Sequence, residues 1–267
     1  LLTGLLFKVG VVPFHCWSPD LHEGSPLAVS AFVAAAVPAA AFAALGRVVL
    51  YGLAAVADLW MPLLETAAVL SIVCGSLLAL NQRSIRRLLA YIGIAQAGWA
   101  LVGLLAASEA GLAASLFCWL SLGLGLVGSY AVLAICGPDS SQLRDYRGLA
   151  RRQPLLALGF ALCLASLAGL PPTAGFAGRF YLLSAAIEAG SLGLALVVAG
   201  CIPLLFYACM RVVIAVFMRP SGPNPRPVGF SAEVLVVLLL SVLGILGLGL
   251  LPADLFRAAT ETVAAVI

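Results

Sequence analysis

Long apolar runs separated by short polar stretches set the pattern of this chain. Eight stand out, at roughly 1–12, 28–50, 62–81, 84–106, 111–136, 154–188, 191–218 and 231–251. Within them the apolar positions are continuous rather than alternating, which predicts helices and excludes barrel strands, whose two faces alternate. Most runs approach the ~20 residues that cross a bilayer core as helix. The sixth is too long for one straight span, and Pro171-Pro172 interrupts it; Pro13 follows the first. The expected fold is therefore all-α integral membrane, a single transmembrane domain over 1–267 with about eight helices. Two of these are broken, near Pro13 and at Pro171 and Pro172.

The polar stretches carry their own signals. Ser25-Pro26 reads as an N-cap followed by proline at the first helical position. The stretches 137–153 and 219–230 read as polar loops, and the second contains four prolines. Leu255, Ala259, Val263 and Val266 fall near one helical face of the tail 253–267, which predicts a helix lying at the interface. Arginines mark one side. Arg83, Arg86 and Arg87 form one group, Arg144, Arg147, Arg151 and Arg152 a second, and Arg211, Arg219 and Arg226 a third. With eight spans all three groups share a side, which the positive-inside rule makes cytoplasmic.

Composition agrees. The chain is 63% hydrophobic and 9% charged, with mean hydropathy +1.16, whereas soluble domains carry about 25% charged residues. Its 27 glycines suit close helix packing. The net charge of +3 is small and by itself says nothing about nucleic acid; no basic cluster with interleaved aromatics occurs, and no nucleic-acid partner is expected. The seven cysteines lie singly, mostly in apolar runs, and read as small apolar fillers. No spacing suggests a disulfide or metal framework.

Ionisable groups at membrane depth mark ion or substrate paths by default. Lys8 is the only lysine and lies in an apolar run, five residues before Pro13. A buried lysine can exchange its proton near neutral pH; a snorkelling lysine near a helix end is the plain alternative. Arg179 lies beyond Pro171-Pro172, and Glu188 or backbone carbonyls are its candidate partners. His15, His22, Asp20 and Glu23 share PFHCWSPDLHEGSP, which lacks regular ligand spacing and reads as a loop. His15 is a candidate proton relay, and Gln96 is a polar member of the run at 84–106, with interhelical hydrogen bonding as its plain role. No nucleotide loop, catalytic triad or carboxylate pair occurs, so redox chemistry would belong to partners.

Taken together, these motifs resemble a known family. FKVGVVPFHCWSPDLHEGSP is similar to the lysine and PFHxWxPDxxEGxP signature of the antiporter-like membrane subunits of respiratory complex I. IRRLLAYIGIAQAGW, DYRGLARRQP and SLAGLPPTAGFAGRF fit in the same order, and EGSP with VSAF and AAFAALGR points to the subunit N branch. The resemblance implies a fourteen-helix subunit, of which this chain looks like the last eight, in a bacterial inner membrane. Its partners would be the other membrane subunits, the lipid bilayer and protons. NADH, quinone, FMN and iron–sulfur clusters would sit in partner subunits, with no cofactor on this chain. Lys8 matches a lysine that in the family pairs with a glutamate on an earlier helix.

Three departures follow from the same resemblance. A central family lysine belongs where AAVPAAAF places Pro38, a helix breaker; Arg179 stands for a lysine; and Gln96 stands where many relatives carry histidine. The implied function is proton translocation coupled to electron transfer from NADH to quinone. A non-pumping structural subunit, or a subunit of a cation/proton antiporter or membrane hydrogenase, are the alternatives.

Overall fold

A computed structural model describes residues 1–137, 140–220, 229 and 231–266, with side chains at all of these except 254, 255 and 262–266. The regular structure among the described residues is helical, apart from one isolated β-bridge. Six helical stretches among them are long and apolar enough to cross a membrane: Leu27–Gly52, Ala54–Leu80, Ile85–Leu105, Glu109–Cys136, Leu192–Phe217 and Ala232–Leu250. The remaining two expected segments are built of shorter pieces flanking breaks.

The first such piece is α1 (Leu2–Val9), followed across a turn by α2 (Trp17–Gly24). The stretch expected to be a loop is thus partly helix. Then come α3 (Leu27–Arg47), α4 (Ala57–Leu80), α5 (Ile85–Leu105) and α6 (Glu109–Cys136). The expected loop 137–153 contains the 3-10 turn Leu143–Tyr146 and a short α7 (Leu149–Arg152). The second broken pair is α8 (Pro154–Ala168) and α9 (Ala174–Glu188). Next come α10 (Leu192–Gly200), α11 (Ile202–Phe217), α12 (Ala232–Leu250) and α13 (Pro252–Val266). The expected loop 219–230 lies largely outside the described residues, as do the side chains of Leu255, Val263 and Val266. Of the tail, Phe256 stacks on Tyr181 at 4.0 Å.

Helix α5 is buried along almost its whole length and touches α2, α4, α6 and α9. Its contact with α4 depends on missing side chains. A Cβ on Gly75 would stand 2.7 Å from the Ala95 nitrogen, and one on Gly98 2.7 Å from the Ala68 carbonyl oxygen. Small residues let the two backbones approach, which is how helices associate where water supplies no drive.

Two local expectations are corrected. Pro38 does not break a helix: α3 runs through it. The cost of one lost hydrogen bond is local, and packed neighbours keep the helix on course. Nor does Ser25 cap α3. Pro26 itself is the N-cap residue, its carbonyl accepting from the Ser30 amide at 2.9 Å, while the Ser25 hydroxyl meets that of Ser30 at 2.7 Å.

Candidate functional site

Both breaks begin at a glycine. Helix α1 ends at Gly10, with φ of 82°, and α8 at Gly169, with φ of 80°. In each, backbone N–H groups fold back onto the last carbonyls, as a left-handed glycine permits. Gly10 precedes Pro13 by three residues and Gly169 precedes Pro172 by three, and both prolines follow cis bonds. The prolines were legible in the sequence; the turns start at the glycines before them.

The second break holds a polar cluster. Arg179 is buried on α9, and its guanidinium donates to the Ala168 carbonyl and, at 2.6 Å, to that of Leu167. Gln96 reaches the same Leu167 oxygen from α5, its amide nitrogen at 3.2 Å, and its own oxygen takes the Cys118 thiol at 3.8 Å. The Arg179 guanidinium carbon stands 5.5 Å from the centre of the Trp99 ring, within cation–π range. A cation on the carbonyl end of a broken helix meets the negative end of its dipole. Of the two partners expected for Arg179, the structure selects backbone carbonyls; Glu188 is exposed at the end of α9. The Arg179 Nε and Trp99 Nε1 hydrogens find no acceptor among the described residues, which leaves donors for water at membrane depth.

The first break is arranged differently. Lys8 lies in the last turn of α1 and is exposed on this chain. The Phe7 carbonyl accepts from Trp17 Nε1 at 3.0 Å, and the Val12 amide donates to the Ser71 hydroxyl at 2.9 Å, which ties the turn to α4. His15 is half-buried in the turn, and its Nδ1 has no partner among the described residues. The structure therefore joins Arg179 to Gln96 and leaves Lys8 and His15 apart from them, at the other break.

His22 was not singled out as a proton carrier by the sequence, yet among the ionisable residues of its stretch it is the buried one, 4% exposed on α2. Its Nδ1 donates to the Ser18 carbonyl at 2.6 Å, and its ring lies 6.1 Å from that of Tyr130. The spacing gave no such signal: residues seven apart share a helix face, and His15 lies in the turn before α2 rather than in the helix. Asp20 and Glu23 turn the other way, onto Arg87, with the Asp20 contact at 3.0 Å. Both carboxylates are ion-paired with Arg87.

The first two arginine groups, and Arg211 of the third, are tied together at one end. The Leu143 amide donates to the Arg83 carbonyl and the Ile85 amide to that of Ser141, each at 2.8 Å, which joins two of the basic loops. Arg211 reaches the Gln82 carbonyl at 3.1 Å. Arg86, buried on α5, donates to the carbonyls of Glu23 and Ser25 at 3.2 and 3.3 Å, where α2 ends. From this end Gln96 lies eleven residues along α5, roughly 16 Å at 1.5 Å per residue, near mid-bilayer.

Comparison with known proteins gives a consistent picture. Residues 1–203 match the family described as NADH:quinone oxidoreductase/Mrp antiporter, TM. The NADH-quinone oxidoreductase subunit N of Trichlorobacter lovleyi is 38% identical over 266 residues, 98% of this chain and 55% of that protein. Its counterpart in Chloroflexus aggregans is 40% identical over 96% of this chain and 53% of its own length. The chain thus spans about half the length of the curated relatives it matches. Among solved structures, a chain of respiratory complex I from Thermus thermophilus with bound aureothin superimposes with a TM-score of 0.82. It is 37% identical and is matched over 97% of this chain and 57% of that one.

Proposed function

Since the chain belongs to the NADH:quinone oxidoreductase/Mrp antiporter transmembrane family, we propose that it acts as part of a membrane-arm subunit of NADH:quinone oxidoreductase. There it contributes to proton translocation driven by electron transfer from NADH to quinone. The observation that carries this reading is the pair of helix breaks, each bearing a cation on or beside the carbonyl end of its first half. Such broken helices are how ion sites form at membrane depth. Lys8 supplies a side chain that can give up its proton; Arg179 supplies a fixed charge, because a guanidinium does not. Gln96, Trp99 and Arg179 offer hydrogen-bonding groups along which water can carry protons. NADH, FMN, the iron–sulfur clusters and quinone belong to partner subunits in this reading. In this reading Lys8, exposed among the described residues, pairs with a glutamate on an earlier helix of the same subunit. The assembly sits in a bacterial inner membrane, with the arginine end towards the cytoplasm.

The test is Lys8→Ala in the assembled complex, with NADH oxidation and proton uptake measured in inverted vesicles. Proton uptake is expected to fall while assembly persists. An unchanged ratio of protons to NADH would remove Lys8 from the path. A second reading, a non-pumping subunit that keeps the fold, draws on Arg179, whose guanidinium is already engaged by two carbonyls. It predicts that Lys8→Ala and Arg179→Lys both leave coupling intact.

A further inference from the structure

A small cavity lies between the first break, α2, α3, α5 and α6, with Gly10, His22, Ala34, Pro38, Gly93 and Trp119 among its walls. Its volume is about 20 Å³, room for one water molecule. Three of these residues bring unsatisfied polar groups. The Ser18 carbonyl can only accept, so Nδ1 of His22 carries its hydrogen there at 2.6 Å; in the neutral ring this leaves the Nε2 lone pair free. Pro38 has no N–H, so the Ala34 carbonyl, four residues earlier, loses its helical donor. Trp119 Nε1 is buried and has no acceptor among the described residues. An acceptor nitrogen, an acceptor oxygen and a donor N–H are what one buried water satisfies.

We propose that this cavity holds a water bonded to His22 Nε2 and the Ala34 carbonyl, and that His22 is a proton-carrying side chain in the first half of the chain. The proposal rests on the proton-translocating reading above. The step is a transfer in and back out. Nε2 accepts a proton arriving through the cavity water, the ring becomes imidazolium with Nδ1–H still on Ser18, and Nε2 returns that proton to the same water. The groups around the ring are compatible with it. Tyr130 on α6 presents an aromatic ring, and Ser30 on α3 donates its hydroxyl hydrogen to the His22 carbonyl at 3.3 Å. Arg86 on α5 is held by the carbonyls of Glu23 and Ser25. Pro38, which leaves its place in the helix without a charged group, also frees the carbonyl that the water needs.

The experiment compares His22→Gln, His22→Phe, Pro38→Ala and Lys8→Ala in the whole complex in membrane vesicles, reading NADH-driven proton uptake against pH. His22→Gln keeps polarity and His22→Phe keeps the aromatic packing, but neither carries a proton. Both are expected to slow coupled turnover by at least about tenfold and to flatten its pH profile. A wild-type rate and profile in either variant overturns the proposal. If neither assembles, Pro38→Ala decides: it returns the N–H to Ala34 and should slow turnover several-fold, and an unchanged rate overturns the proposal. A loss with Lys8→Ala alone rejects the role of His22 and keeps the proton path. No change in any variant rejects both readings.

Discussion

Arg179 and Gln96, on two different helices, donate to the same carbonyl oxygen, that of Leu167. That oxygen belongs to the last turn of α8, where no helical donor remains. The shared acceptor makes the two side chains a unit rather than two independent polar residues.

Removing the arginine should be the severest change at this site. Arg179→Ala strips two charge-assisted hydrogen bonds, each contributing roughly 1.5–3 kcal/mol, and leaves the Ala168 carbonyl without its donor while Leu167 keeps only Gln96. The expected outcome is loss of the assembled complex on native gels. Arg179→Lys keeps charge without the planar fork, and should assemble with a lower thermal midpoint.

Coupling between the pair is measurable. Gln96→Leu alone should cost only about 1 kcal/mol, since Leu167 keeps its arginine. A double-mutant cycle with Arg179→Lys should show an interaction of roughly 0.5–3 kcal/mol. A coupling near zero would mean that the shared acceptor is a geometric coincidence.

The two break glycines should differ in sensitivity. Alanine at either must adopt a left-handed backbone, at roughly 1–2 kcal/mol. At Gly10 the nearest neighbour of the new Cβ is the Trp17 ring at 3.9 Å; at Gly169 it meets the Arg179 guanidinium. Gly169→Ala should therefore lower the thermal midpoint of the complex more than Gly10→Ala, as scanning fluorimetry would show.

Orientation has a direct check. Arg144 and Arg147 are exposed at the arginine end. Cysteines placed there should react with an impermeant thiol reagent from the cytoplasmic side only. Labelling from the opposite side would invert the topology. The exposed Cys16 and the half-buried Cys74 and Cys136 are replaced by serine or alanine first, while buried cysteines such as Cys163 and Cys209 stay as silent background.

Much of this fold was legible because a membrane imposes simple rules. Continuous apolar runs gave the long helices, and prolines flagged both breaks. The failures were local. Pro38 looked like a breaker because proline stops soluble helices, yet α3 passes through it among packed neighbours. Asp20, His22 and Glu23 looked like loop residues because α2 is eight residues long, too short for periodicity to show. At the candidate site, Gln96 and Arg179 were visible as polar groups in oily runs. Their meeting on Leu167 was not, since it joins positions 71 and 12 residues away. Lys8 was visible as a cation in an apolar run, but its exposure was not, because α1 is only eight residues long and shows no clear period.

Arginine also grips the first broken helix, for Arg86 holds the end of α2 much as Arg179 holds the end of α8. A guanidinium stays protonated at every pH a cell experiences. These two clasps therefore keep the same charge at every stage of a proton-transfer cycle. Lysine or histidine clasps would slacken each time they discharged. In a machine that repeatedly fills and empties nearby sites, such anchors act as fixed pivots, and whatever moves must swing around them.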